Sequence, residues 1–154
     1  MLFTDKGDNP GVAVTERFAM SDWNDSIVSE FRANDGKVGG PFAGAPLLLL
    51  HTKGAKTGRE RVSPLMYRAL ADGWAVFASK AGADTNPDWY HNLLADPKAS
   101  IEVGTDTFEV KARVAEGAER EEIWIPHKTE HTGFADYERK TSRVIPVVVL
   151  EPVH

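Results

Sequence analysis

The sequence predicts an α+β fold: a mostly antiparallel sheet curled into a small barrel, with a few helices on its flanks. Three observations carry this. Several short segments alternate apolar and polar residues, or run apolar between turn residues, as strands do. Most are joined by links of a few residues, too short for the crossover that a parallel pair needs. The tally is about six strands to three or four helices, which favours an antiparallel barrel over a parallel βαβ sheet.

The elements follow in order. Residues 1–20 carry little pattern and read as an N-terminal arm, and residues 21–154 as a single domain. Ser21 or Asp22 caps a helix whose apolar positions Trp23, Ile27, Val28 and Phe31 fall at helical spacing. Asn34-Asp35-Gly36 ends it, and Gly39-Gly40-Pro41 extends the break. Ala45–Thr52 reads as a buried strand and Arg61–Ala69 as its partner. Asp72-Gly73 makes a hairpin turn into strand Trp74–Ala78. Asn86 caps the next helix, with Pro87 in its first turn, and Asp96-Pro97 stops it after about Leu94. Ser100–Val103 and Thr107–Val114 form a hairpin around Gly104. Glu116–Lys128 is mostly helical despite Pro126, and Tyr137 lies in a second short helix. Val144–Leu150 closes the chain as a strand, where Pro146 points to an edge or a bulge.

Composition narrows the function. With 154 residues, 42% hydrophobic and 27% charged, the chain is long enough for a real core. A formal net charge of -5 argues against general nucleic-acid binding. The absence of cysteine removes disulfides, thiolate nucleophiles and thiolate-bound metal. His51, His91, His127 and His154 show no ligand spacing with carboxylates, so no metal is assigned. Met1 to Gly11 lacks the apolar core of a signal peptide. No apolar run approaches the roughly 20 residues of a spanning helix. A soluble, cytoplasmic protein is expected, with room for peripheral membrane contact.

One stretch stands apart. Lys53-Gly54-Ala55-Lys56-Thr57-Gly58-Arg59-Glu60-Arg61 holds four cations and two glycines inside an acidic chain. Between two strands this makes a plausible anion cradle, glycines turning backbone N–H groups toward a ligand while Lys and Arg add charge. A solvated hairpin tip is the plainer alternative. The Walker phosphate loop does not fit, because Ala55 stands where its second glycine would precede the lysine. Glu116–Glu122 is most economically a solvated helix face.

Several blocks then occur in register: Gly40-Pro41, Pro46-Leu47-Leu48-Leu49-Leu50, Thr52-Lys53-Gly54-Ala55-Lys56-Thr57-Gly58, Arg61-Val62-Ser63-Pro64-Leu65, Ala78-Ser79-Lys80-Ala81-Gly82-Ala83, Asn86-Pro87-Asp88-Trp89-Tyr90-His91-Asn92-Leu93 and Arg143-Val144-Ile145-Pro146. Together, from about Phe31 to Pro152, they resemble the deazaflavin-dependent nitroreductase family of actinobacteria. The resemblance implies a split β-barrel related to flavin-mononucleotide oxidases and a bound hydride carrier, coenzyme F420. The coenzyme's phosphate and acidic tail would explain four clustered cations.

Carried over by position, the resemblance places Lys56 and Thr57 at the cofactor's phosphate and tail, with Lys53 and Ala55 also among the cofactor-binding residues, and Arg61, Val62, Ser63 and Pro64 on the strand passing it. Phe77, Ala78, Ser79 and Lys80 fall beside its ring and phosphate, and Asn86, Pro87, Trp89 and Tyr90 at the helix start on the other side. A helix start offers free N–H groups to an anion, whereas Trp89 serves equally well as core packing. An aromatic C-terminal segment closes the family's substrate pocket, and its counterparts here are His131, Phe134 and Tyr137. Only Tyr137 keeps a hydroxyl, which puts nitroimidazole reduction in doubt; His131 also reads as a surface histidine. The implied reaction is hydride transfer from reduced F420 to a quinone, nitroaromatic or activated enone, with Ser79, Tyr137 or water supplying the proton. A split-barrel enzyme using FMN and a non-catalytic carrier of the deazaflavin are the alternatives. The partner is a small-molecule acceptor, and the chain a monomer or a homodimer.

Overall fold

Runs of Leu, Val and Ile cut by two-residue turns give this chain its strands, and the strands give it a barrel. The computed structural model describes residues 24–39 and 44–153. They fall into two compact units, one ending at Ala45 and the other starting at Pro46. The first contains helix α1 (residues 24–33), with Ile27 and Phe31 buried. The expected caps Ser21 and Asp22, and Trp23, lie outside the described residues. The helix ends where expected: Asp35 and Gly36 take left-handed φ of 57° and 93°, and the Gly36 N–H donates to the Phe31 carbonyl at 2.7 Å.

The second unit holds β1 (Leu47–Lys53), β2 (Glu60–Leu70), β3 (Gly73–Phe77), α2 (Asp88–Ala95), β4 (Lys98–Val103), β5 (Asp106–Val114), α3 (Gly117–Glu130), α4 (Thr132–Lys140) and β6 (Val147–Pro152). The strands close in the order β1-β2-β3-β6-β5-β4, and every pairing is antiparallel. Side-chain alternation sorts the core into two layers. Val76, Ala78, Val148 and Leu150 point into the barrel with Leu48, Leu50 and Ile101, and Trp89 and Leu93 of α2 join them. Ala75, Phe77, Val147 and Val149 point the other way and pack on Ile123 and Trp124 of α3. β3 and β6 are therefore apolar on both faces. Burying each such side chain is worth roughly 1.5–3 kcal/mol, which outweighs the helical interruption at Pro126.

Three local expectations need correction. The β2–β3 turn is Ala71-Asp72, with Gly73 already paired to Leu70 in the strand. Glycine is required there because a Cβ would stand 2.4 Å from the Leu150 carbonyl oxygen of β6. The residue capping α2 is Pro87, while Asn86 accepts a hydrogen bond from Arg143 instead. Pro146 marks no edge: β6 starts after it and sits between β3 and β5, and the Pro146 carbonyl accepts the Ala78 N–H at 3.0 Å.

Candidate functional site

The β1–β2 loop is built from its glycines. Gly58 has φ of 73°, and its N–H donates to the Gly54 carbonyl at 2.8 Å. The Gly54 N–H donates to the Arg59 carbonyl at 2.7 Å, and a Cβ on Gly54 would meet Thr57 Oγ1 at 3.0 Å. From outside, Asn92 of α2 holds the loop. Its Oδ1 accepts the Ala55 N–H at 2.9 Å, and its Nδ2 donates to Thr52 Oγ1 at 3.1 Å. Asn92 and Thr52 are both buried. Lys53, Lys56, Arg59 and Arg61 are exposed and form no ion pair among the described residues. Elsewhere arginines are ion-paired: Arg68 with Glu130, Arg113 with Glu119 and Glu151, Arg120 with Glu121. The one carboxylate in the loop, Glu60, reaches back to His51 at 3.1 Å. In an acidic protein, four cations are left without counter-charge among the described residues at one hairpin tip.

Beside this loop runs β2, the one described strand without a buried residue. Glu60 to Met66 pair with β1, but β3 pairs only with Tyr67 to Leu70. Among the described residues the β3-side edge of residues 61–65 therefore has no pairing strand, and the chain leaving β3 is strained. Lys80, Ala81 and Gly82 have consecutive φ of 47°, 54° and 84°. Left-handed backbone at non-glycine residues costs of order 1–3 kcal/mol and persists only when its surroundings over-determine it. Arg143 does that: its guanidinium donates to the carbonyls of Ser79 and Ala83 and to Asn86 Oδ1, at 2.9, 2.8 and 2.8 Å. Thr141 Oγ1 adds a bond to Asp84 at 2.9 Å. Lys80 Nζ donates to Thr85 Oγ1 at 3.3 Å, and Ser79 is buried.

On the far side of β3, the Phe77 ring stacks on His127 with centroids 3.9 Å apart. Phe134 lies edge-on to both at 5.7 and 4.5 Å, Tyr137 lies against Phe134 at 5.5 Å, and His131 is 4.8 Å from His127. α4 buries no residue of its own. It is tied to α3 through Glu138, which accepts from Trp124 Nε1 at 2.8 Å and Lys128 Nζ at 2.7 Å. Burial makes the Glu138 carboxyl harder to ionise, but these two donors outweigh it and hold its pKa below the usual range. Burial pushes the His127 imidazole down to about 4, helped by His131 and Arg68 and opposed by Glu130.

The residues expected at the site thus fall into three groups. Lys53, Ala55, Lys56, Thr57 and Arg61 to Pro64 share one hairpin. Ser79, Lys80, Asn86 and Pro87 share the segment that Arg143 clamps. Phe134 meets Phe77 on the α3 side, with Tyr137 against Phe134 and His131 against His127, whereas Ala78, Trp89 and Tyr90 pack in or on the barrel core. Sequence reasoning missed Asn92, His127 and the clamping role of Arg143. The first two carried one signal, a polar residue on the apolar face of a helix.

Fold and site together define a split β-barrel in which, among the described residues, a strand with one unpaired edge lies beside a basic loop without ion pairs. The chain belongs to the F420H(2)-dependent quinone reductase family, whose model matches residues 23–152. It is 40% identical over 124 residues to an F420H(2)-dependent quinone reductase of Mycobacterium tuberculosis, covering 78% of this chain and 83% of that one. A solved F420-H2 dependent reductase (FDR-A) superposes with a TM-score of 0.64 at 38% identity, covering 69% of this chain and 94% of the other. A second solved relative, described as a domain-swapped dimer, has a TM-score of 0.66 at 34% identity, covering 86% of this chain and 99% of its own. The chain is accordingly an F420H2-dependent oxidoreductase with coenzyme F420 as its cofactor. Among the described residues no helix is long and apolar enough to cross a membrane.

Proposed function

We propose that this chain uses reduced F420 to convert a quinone to its hydroquinone, with the coenzyme's anionic end at the β1–β2 loop and its ring along the open part of β2. The observation that carries the reading is the set of cations at Lys53, Lys56, Arg59 and Arg61, without ion pairs among the described residues, beside a strand with no buried residue. The donor set fits the group: a phosphate with a run of carboxylates needs several cations and close backbone approach, and Gly54 admits that approach. When bound, reduced F420 supplies a hydride to an electron-poor ring.

The protein's part is to bind, orient and keep water out. Lys56, Thr57 and Arg61 neutralise and hydrogen-bond the phosphate and tail, and the Asn92 anchor keeps their loop in place. Arg143 fixes the segment from Ser79 to Asn86, so that the buried Ser79 hydroxyl keeps its position. α4 covers the acceptor, and Tyr137 or Ser79 passes a proton to the reduced acceptor's oxygen. The domain-swapped relative supports a homodimer as the assembly to look for.

The test is oxidation of reduced F420 by menadione with purified protein under anaerobic conditions. Turnover that needs both protein and F420, and that reduced FMN does not support, is expected. Binding of F420 without turnover of any quinone would make the chain a carrier and end the quinone assignment.

A further inference from the structure

His127 is fully buried, and neither ring nitrogen has a hydrogen-bond partner among the described residues. A buried polar group left unsatisfied is destabilising, and a histidine used only as filler could be replaced by phenylalanine at no such cost. Its neighbours are not random filler. One face lies on Phe77, two residues before Ser79, and Phe134 stands T-shaped to the ring with centroids 4.5 Å apart. His131 and, behind Phe134, Tyr137 complete the cluster. Phe134 and Tyr137 of α4, and His131 between α3 and α4, are the residues placed against the acceptor, so the unsatisfied imidazole sits at the centre of the acceptor wall.

We infer that His127 is the acceptor-binding residue of this site, hydrogen-bonding the oxygen of a quinone that takes the place of the Phe134 ring. This rests on the quinone-reductase reading above. The chemistry of the two partners matches. Reduction of a quinone adds a hydride from reduced F420 and a proton, so two electrons and two hydrogens in all. The carbonyl oxygen, which only accepts, becomes a hydroxyl, which also donates. A neutral imidazole has one N–H and one lone pair, so it can donate to the carbonyl and accept from the hydroxyl. Lysine or arginine serves only the first state, and a carboxylate only the second. Burial keeps the imidazole neutral at physiological pH, with Arg68 and His131 adding to that effect and Glu130 opposing it. Access is through α4, none of whose residues is fully buried, by a local displacement of the half-buried Phe134 ring while the Glu138 bonds to α3 hold the helix.

The experiment uses full-length protein labelled with 15N-histidine. Long-range 15N–1H spectra are recorded with added menadione and no reductant, His127→Phe providing the assignment. A saturable shift of the His127 ring nitrogens is expected. In turnover, His127→Phe should lose about tenfold or more in kcat/KM for menadione, the scale of one hydrogen bond to a reacting oxygen. Its F420 affinity should stay within about twofold and its melting temperature should rise, since both unsatisfied atoms are gone. His127→Asn, which restores a donor and an acceptor, should recover part of the loss. No shift at saturating menadione, or unchanged kcat/KM in His127→Phe, would show that the imidazole merely packs on Phe77. Should the wild type shift with menadione yet reduce no quinone, the proposed function falls while His127 stands as the quinone contact.

Discussion

Replacing Asn92 by alanine separates the loop's anchor from its charges. The side chain makes two bonds, accepting from Ala55 N–H at 2.9 Å and donating to Thr52 Oγ1 at 3.1 Å. Ala55 is exposed, so water replaces its lost partner and only about 0.5–1.5 kcal/mol is forfeited there. Thr52 is 3% exposed, and its hydroxyl loses a donor that water cannot easily replace, which costs roughly 1–3 kcal/mol. The sum, about 2–4 kcal/mol, corresponds to a drop in melting temperature of about 5–15 °C for a domain of this size. Because the loop then has to be ordered by its ligand, F420 affinity should fall by about two- to tenfold at a temperature where both proteins are folded. Calorimetry gives the first number and fluorescence titration with F420 the second. A destabilised variant with wild-type affinity would mean that Asn92 serves the core alone, and that the loop is held by its own glycine turns.

Further outcomes are expected from the same geometry. Lys56→Ala and Arg61→Ala should each weaken F420 binding by about tenfold or more in 0.15 M salt, as loss of a charge-assisted bond does, with smaller losses for Lys53→Ala and Arg59→Ala. The apoprotein's melting temperature should hardly change, because these cations have no partners to lose. Phe134→Ala and Tyr137→Phe should alter quinone turnover while leaving F420 affinity nearly intact; titration and steady-state kinetics on the same preparations decide this. Stability should also depend on pH through His127, whose pKa falls from an ordinary 6.5 when unfolded to about 4 when folded. Between those values the unfolded chain binds a proton that the folded chain refuses. The contribution, up to about 3 kcal/mol, is therefore present in full above about pH 6.5 and lost as the pH falls to 4. Urea unfolding at several pH values should show a flatter profile for His127→Phe than for wild type.

Strands and the basic loop were legible because their signals are local. The leucine run of β1, the valine run of β6 and the glycine turns around Gly58 and Gly104 each declare themselves within a few residues. What was not legible depends on partners far along the chain. Asn86 has the sequence of a helix cap, but a guanidinium 57 residues later takes its oxygen. Pro146 looks like an edge marker until β5 and β3 close on either side of its strand. Gly73 looks like a turn residue, although what requires it is a carbonyl of β6. His127 and Asn92 look like ordinary polar residues, and only burial shows one without a partner and the other bridging two elements.

The most direct test of the central claim is a paired titration of the apoprotein with F420 and with FMN, read by fluorescence at fixed salt. A phosphate alone needs fewer cations than the β1–β2 loop presents, so the longer anionic tail of F420 should bind with micromolar or better affinity and FMN at least about tenfold more weakly, a difference of about 1.4 kcal/mol. Lys56→Ala should narrow that gap. Equal affinities, or tighter binding of FMN, would contradict the assignment of the unpaired cations to the tail of F420.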